Sequence, residues 1–139
     1  MRWLRVILLF PFSLLYLLIT GVRNILFNVG LLEQRTYPFP LISIGNLRVG
    51  GTGKTPTIES LIKLLQNEGY RCLVLSRGYG RKSKGLREVQ VDDRVSDSGD
   101  EPLQIKRKFP DVRVLTDRNR RNALNYVNEN LPDVDVVLM

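Results

Sequence analysis

The sequence predicts an α/β fold, in which a mainly parallel sheet is flanked by helices and preceded by an apolar N-terminal helix. From about Thr36 onward, short apolar runs alternate with segments of helical periodicity, which is typical of parallel strands joined by crossover helices. A glycine-rich segment that ends in Lys54-Thr55 joins the first strand to the first helix of this region. Before it, Val6 to Val22 contains no charged residue. We therefore expect an apolar helix at residues 1–27, a linker at 28–39 and an α/β domain at 40–139.

Composition narrows the classes of protein that this chain can belong to. The 139 residues include 21 Lys and Arg and 14 Asp and Glu, for a net charge of +7, and 43% of them are hydrophobic. These proportions are ordinary for a globular protein, and they exclude wholesale disorder, a collagen-like repeat and a polytopic membrane protein. Because Cys72 is the one cysteine and there is no histidine, these residues form no intramolecular disulfide and no Ser-His or Cys-His catalytic pair.

The uncharged N-terminal run predicts a helix that associates with a membrane. As a helix, Val6–Val22 extends roughly 26 Å, slightly less than the roughly 30 Å hydrocarbon core, and Trp3, Arg5 and Arg23 flank it as interfacial anchors. A signal peptide fits poorly because Ile19–Val22 lacks a small-x-small cleavage site, and a buried core helix of this length needs a larger protein around it. Whether the helix spans the bilayer or lies in its interface stays open, since basic residues flank both ends.

The remaining chain is predicted to alternate between strands and helices, with Gly and Pro near their ends. The predicted strands are Pro40–Gly45, Tyr70–Ser76, the short edge strand Arg87–Val91, Val112–Leu115 and Val134–Met139. The predicted helices are Lys54–Asn67, a helix that Asp100 or a nearby residue caps and that runs to about Phe109, and Arg118–Asn130. The chain stops inside the apolar run of the last strand, so we expect a truncated product whose α/β domain is incomplete at the C-terminus.

The glycine-rich segment predicts a phosphate-binding loop. It follows a strand and opens a helix, so successive backbone N–H groups and the helix dipole converge on one anion. The residues expected to contact nucleotide phosphates are Arg48, Val49, Gly50, Gly51, Thr52, Gly53, Lys54 and Thr55. Arg48 stands where the strict pattern has glycine, and Gly50 and Gly51 supply the backbone freedom instead. The segment indicates a P-loop NTPase-like domain; the alternative is a glycine-rich turn that caps a helix by chance.

Three further motifs accompany this loop in a fixed order, namely LSRGYGR at Leu75–Arg81, SGDEPL at Ser98–Leu103 and VLTDR at Val114–Arg118. Together with the IGNL lead into GGTGKT, they resemble the tetraacyldisaccharide 4'-kinase family over nearly the whole chain. The resemblance implies a lipid-sugar kinase that uses ATP to phosphorylate the 4'-hydroxyl of tetraacyldisaccharide 1-phosphate in lipid A biosynthesis, on the cytoplasmic face of the inner membrane. It also implies a Walker B acidic pair and a histidine beyond Met139. We therefore expect the 139 residues alone to bind nucleotide weakly and not to turn over substrate.

The motifs and the resemblance predict roles for individual side chains. In a phosphate loop, Lys54 reaches the β- and γ-phosphates and the hydroxyl of Thr55 holds Mg²⁺. The resemblance implies that Asp100 is the base that takes the acceptor proton and that Glu101 is a candidate partner in the Mg²⁺ shell. Residues with candidate substrate contacts are Arg77, Tyr79 and Arg118. The local alternatives are a helix-capping role for Asp100, a solvated loop position for Arg77 and a packing role for Tyr79.

Basic residues surround these motifs. Arg81, Lys82, Lys84 and Arg87 are expected to contact anionic headgroups or a phosphorylated lipid, or to form a solvated face, and Arg120 and Arg121 are expected at the surface. No aromatic platform or recognised nucleic-acid motif accompanies them, so the expected partners are the lipid disaccharide and the membrane rather than nucleic acid. The alternative function is a membrane-tethered P-loop nucleotide-binding switch that acts through protein partners.

Overall fold

The computed structural model describes residues 2–45 and 53–139. The chain divides into two compact units, residues 1–36 and residues 37–139.

The first unit consists mainly of one helix, α1, Arg2–Asn28, which continues through Pro11. Leu8–Asn28 is long and apolar enough to cross a membrane. Most of its large apolar side chains are exposed. The hydroxyls of Ser13 and Thr20 donate to backbone carbonyl oxygens one turn earlier in α1, over 3.1 and 2.8 Å. These polar groups are thus satisfied without water, as a helix in an apolar environment requires.

The second unit contains one sheet and its flanking helices. Its elements, in chain order, are β1 Leu41–Ile42, α2 Lys54–Asn67, β2 Cys72–Ser76, β3 Arg87–Glu88, α3 Val95–Ser98, α4 Asp100–Lys108, β4 Arg113–Thr116, α5 Arg120–Asn130 and β5 Val136–Leu138. The strand order is β1-β5-β2-β4-β3. The pairs β1–β5, β5–β2 and β2–β4 are parallel, and β3 pairs antiparallel with β4 at the edge. The predicted mainly parallel sheet is confirmed.

Helices cover both faces of this sheet. Successive side chains of β2 point to opposite faces, so Cys72 and Val74 pack in the cluster that contains α2 and α4, whereas Leu73 and Leu75 pack in the cluster that contains α5. All four side chains are buried, which explains why the strand reads as a continuous apolar run rather than an alternating one. The predicted flanking helices on both faces are therefore present.

Several details of the secondary structure differ from prediction; β2, β3, β5 and α5, for example, are each shorter than predicted. α3 was not predicted because four residues are too few to show helical periodicity. β1 is shorter than predicted, although its pairing continues past its end: Ile44 N donates to Met139 O over 2.7 Å. Gly99 is the N-cap of α4, in agreement with the expected cap at Asp100 or a nearby residue, and no side chain caps that helix terminus by a hydrogen bond.

Candidate functional site

The candidate site lies at the edge of the sheet where the parallel strands end. Ligands of open α/β sheets bind along this carboxyl edge, because the connecting loops and the N-termini of the following helices meet there. β2 is followed directly by Arg77, β4 by Asp117, and the helices that open near this edge include α2 and α4. The motifs identified in the sequence are thus brought to one edge by the parallel topology.

The N-terminus of α2 carries the described part of the phosphate loop. Gly53 is the N-cap with φ +76°, a left-handed conformation that glycine adopts without steric cost. Its carbonyl oxygen accepts from the backbone N–H of Thr57 over 3.1 Å and from the Thr57 hydroxyl over 2.9 Å. Lys54 follows in the first turn and is exposed. The other predicted phosphate contacts, Arg48, Val49, Gly50, Gly51 and Thr52, lie outside the described residues.

Thr55 and Glu101 meet across the site. Thr55 Oγ1 donates a hydrogen bond to Glu101 Oε1 over 3.0 Å, which joins the first turn of α2 to the first turn of α4. A hydroxyl and a carboxylate are oxygen ligands of the kind that Mg²⁺ takes, and Mg²⁺ characteristically adds waters and substrate phosphates to one or two protein ligands. Among the described residues no group of three or more His, Cys, Asp or Glu could hold a metal. The pair itself offers two oxygen ligands, which fits a site that Mg²⁺ would share with waters and substrate phosphates.

A cleft of about 210 Å³ opens beside this pair. Its polar rim consists of Lys54, Glu101, Arg77, Tyr79, Ser76 and Arg120. Its apolar walls come from Ile44, Ile58, Val74, Leu75, Ile105 and Met139. Convergent polar groups over an apolar floor are the usual composition of a small-molecule site.

A second, open cleft of about 660 Å³ adjoins the first one and is basic. Its walls are Arg77, Arg118, Asn119, Arg120 and Arg121, so the two clefts share Arg77 and Arg120. Tyr79 stands at 95% exposure on the rim of the first cleft, which excludes the alternative that it is a packing residue. Two of the three candidate substrate residues, Arg77 and Tyr79, thus share a cleft with Lys54, and Arg118 lines the adjoining cleft.

Arg120 is a site residue that the sequence analysis missed. It is exposed, as expected, and it also lines both clefts, because it opens α5 a few residues after the carboxyl end of β4. Its proximity to the VLTDR motif was the available signal, since the first turn after a parallel strand faces the ligand edge.

Asp100 does not line the cleft that contains Lys54. It lines a different depression with Val95, Leu103, Gln104, Arg107 and Lys108, whereas Glu101 lines the cleft that contains Lys54. Consecutive residues of a helix point about 100° apart, so the two neighbouring carboxylates face different surroundings. The helix-capping role is wrong for Asp100, since Gly99 holds the N-cap position.

The expectation that Arg81 is solvated or contacts lipid headgroups is wrong. Its side chain is buried, and burial lowers the pKa of the guanidinium while the charge of Asp117 opposes that shift. Arg87, from the same predicted basic cluster, is half-buried and forms an ion pair with Asp93. This pair raises the pKa of Arg87 and lowers that of Asp93 to about 2, chiefly through their hydrogen bond.

Comparisons with known proteins found similar proteins over nearly the whole chain. The family model for tetraacyldisaccharide-1-P 4'-kinase matches residues 5–139. A tetraacyldisaccharide 4'-kinase of Flavobacterium johnsoniae is 48% identical over 132 residues, which are 95% of this chain and 38% of that protein. One of Shewanella oneidensis is 48% identical over 105 residues, 76% of this chain and 30% of that protein.

A solved structure is similar to this chain in both fold and sequence. The crystal structure of LpxK from Aquifex aeolicus in complex with ATP has a TM-score of 0.68 and 38% identity, and the match covers 94% of this chain and 42% of that one. The chain spans about a third of the length of the curated relatives that it matches. The family model covers nearly all of the chain, and the chain therefore belongs to the tetraacyldisaccharide-1-P 4'-kinase family.

Proposed function

We propose that this chain forms the ATP-binding part of a kinase that phosphorylates the 4'-hydroxyl of tetraacyldisaccharide 1-phosphate in lipid A biosynthesis. The observation that carries the proposal is the hydrogen bond of Thr55 to Glu101 beside Lys54, at the ligand edge of a parallel sheet. The names of the relatives and the ATP in the Aquifex aeolicus structure support the reaction type and the nucleotide. The comparisons give no support to the alternative of a P-loop switch.

The nucleotide lies, in this proposal, across the N-terminus of α2. The Lys54 ammonium neutralises charge on the β- and γ-phosphates, and the N–H groups of the first helical turn add the favourable end of the helix dipole. Mg²⁺, when bound, neutralises charge that develops on the transferred phosphoryl group. Thr55 and Glu101 are the described residues that would hold it.

The acceptor approaches from the side of the basic cleft. Arg77 and Arg118 pair with a phosphate of the substrates, and the exposed ring of Tyr79 packs on the sugar. Asp100 takes the proton of the attacking hydroxyl. Asp100 lines a different depression from the cleft that contains Lys54, so this role requires its side chain to turn toward the γ-phosphate when the substrates are bound.

α1 associates with the cytoplasmic face of the inner membrane. The support for this part of the proposal is the exposed apolar surface of Leu8–Asn28. A phosphorylated, acylated disaccharide resides in that bilayer, so an anchored enzyme meets its substrate without extracting it into water.

Transfer of the labelled γ-phosphate of ATP to the lipid tests this proposal in the full-length gene product. Lys54→Ala is expected to lower kcat/KM by about 100-fold, because one preorganised charge on the transferred group is lost. Lys63→Ala, an exposed lysine of the same helix outside the clefts, is the matched control and is expected to behave as wild type. Equal activity of the Lys54 and Lys63 variants would remove the assignment of Lys54.

A further inference from the structure

Arg81 is a buried cation of the described α/β unit that the proposed reaction does not use. Its side chain is 3% exposed. Nη1 donates to the carbonyl oxygen and to the hydroxyl of Thr116, over 3.1 and 2.8 Å, and Nη2 donates to the carbonyl oxygen of Gly85 over 2.6 Å. Nε is buried without a hydrogen-bond partner among the described residues. The guanidinium thus ties the end of β4 to the loop that follows the LSRGYGR motif.

The stem of Arg81 lies against Gly78. A methyl group at Gly78 would lie 2.6 Å from Arg81 Cδ, 2.9 Å from Nε and 3.1 Å from the carbonyl oxygen of Ser98. Gly78 also has φ +64°, a conformation that other residues adopt at a cost. The position therefore admits only glycine, because the arginine stem fills the space that a side chain would need.

Gly99 lies against the backbone of Gly78 and Tyr79. A methyl group at Gly99 would lie 2.9 Å from the carbonyl oxygen of Tyr79 and 3.2 Å from Gly78 Cα. Gly99 is the N-cap of α4, so it directly precedes Asp100 and Glu101. The two glycines let the backbone of the LSRGYGR loop touch the backbone at the start of α4.

We propose that Arg81 is a positioning residue, which sets the spacing between the LSRGYGR loop, the N-terminus of α4 and the end of β4. Through Gly78 and Gly99 it fixes where Glu101 meets Thr55, and through Thr116 it fixes the strand end that leads to Arg118. A planar guanidinium that donates three hydrogen bonds suits this task better than the single ammonium group of lysine. The inference rests on the proposed kinase function, since it explains how that site is held in register.

Three variants of the full-length gene product test this role. Arg81→Met keeps an apolar stem and removes every donor, and Arg81→Lys keeps the charge but not the planar fork. Gly99→Ala breaks the same contact series from the other side. Gly69→Ala is the matched control, because Gly69 also has a positive φ, +81°, but has no atom within 4 Å of an added methyl group.

The readouts separate positioning from folding. Circular dichroism establishes that each variant is folded, and the Kd for nucleotide in the absence of Mg²⁺ reports on the phosphate loop alone. We expect Arg81→Met and Gly99→Ala to lower kcat by about 100-fold, as a displacement of about 1 Å in a reacting site does. The metal-free nucleotide Kd is expected to change less than about 3-fold, and Arg81→Lys is expected to recover part of the lost kcat. Gly69→Ala is expected to keep the wild-type kcat.

Each outcome decides the proposal. It stands if folded Arg81→Met loses kcat while its metal-free Kd is unchanged and Gly69→Ala keeps the wild-type kcat; where Arg81→Met does not fold, Arg81→Lys must show a smaller loss of kcat, again with the Kd unchanged. It is overturned if folded Arg81→Met keeps the wild-type kcat, or if Gly99→Ala and Gly69→Ala lose the same activity. Failure of the proposed function is a different result, since the wild-type protein itself would then transfer no phosphate to the lipid.

Discussion

Thr55 Oγ1 lies 3.0 Å from Glu101 Oε1, although 46 positions separate the two residues in the chain. This hydrogen bond connects the phosphate-loop helix to the helix that begins with the two carboxylates of the SGDEPL motif. It brings together a hydroxyl and a carboxylate that the sequence analysis had each assigned to the same ion.

Removal of the Glu101 charge is expected to weaken Mg²⁺ binding. The amide of Glu101→Gln still accepts the hydrogen bond of Thr55 but lacks the negative charge that a divalent ion requires. We expect the Mg²⁺ concentration needed for half-maximal nucleotide binding to rise by about 10-fold or more in a calorimetric titration. Glu129→Gln, an exposed position on α5, is the control. An unchanged Mg²⁺ requirement in Glu101→Gln would contradict the assignment.

The ion pair of Arg87 and Asp93 is expected to make stability depend on acid pH. The Asp93 side chain is 7% exposed and also accepts hydrogen bonds from the Ser98 hydroxyl and from Gln90 N, and its pKa is lowered from 3.8 to about 2. A lowered pKa in the folded state means that the stabilisation is complete above the unfolded pKa and is lost as pH falls toward 2.

The size of this effect follows from the pKa shift. We expect Asp93→Asn to lower the free energy of unfolding at pH 7 by about 2 kcal/mol in urea titrations of the detergent-solubilised protein. The difference between the variant and wild type is expected to shrink between about pH 4 and pH 2. Asp111→Asn, at an exposed position, serves as the control. A difference that stays constant with pH would show that the charge of Asp93 does not matter.

The buried face of α2 is expected to contribute most of that helix's share of stability. Ile62 is fully buried in the cluster with α4 and the sheet, whereas Leu64, two residues later, is 56% exposed. Ile62→Ala is expected to cost about 2–5 kcal/mol of unfolding free energy, because it leaves a cavity as well as losing apolar burial. Leu64→Ala is expected to cost less than about 0.5 kcal/mol. Equal costs in urea denaturation would mean that α2 packs through a different face.

A charge in the middle of α1 is expected to release the protein from membranes. Leu17 is 69% exposed within the apolar segment, and an arginine at the centre of such a segment costs roughly 2.5–3.5 kcal/mol. In co-sedimentation with vesicles of bacterial inner-membrane lipid, Leu17→Arg is expected to lower the partition coefficient by at least about 10-fold. Leu64→Arg adds the same charge to an exposed leucine of α2 and is expected to leave binding unchanged. Loss of binding in both variants would argue against α1 as the anchor.

Local sequence patterns predicted the order of strands and helices and the parallel sheet. β2 is a run of apolar residues, and α2 carries an apolar stripe, so each element is visible within its own segment. The sequence also allowed Glu101 to be placed at the same sheet edge as Thr55, because parallel topology brings loop ends and helix N-termini to one edge.

The remaining features depend on contacts between distant residues. The basic run from Arg81 to Arg87 is typical of a solvated loop, but Arg81 is buried because its guanidinium donates hydrogen bonds to Thr116, 35 positions away in the chain. The separation of Asp100 from Glu101 follows from the orientation of α4 about its axis, which depends on how its apolar face packs on the sheet. α3 has too few residues to show a period.

The most direct test of the proposed function is the identity of the phosphorylated product. The full-length gene product is incubated with ATP, Mg²⁺ and tetraacyldisaccharide 1-phosphate, and the lipid is analysed by mass spectrometry and ³¹P NMR. The proposal predicts one added phosphate at the 4'-position, which depends on Lys54 and not on Lys63. Hydrolysis of ATP that leaves the disaccharide unphosphorylated would contradict it.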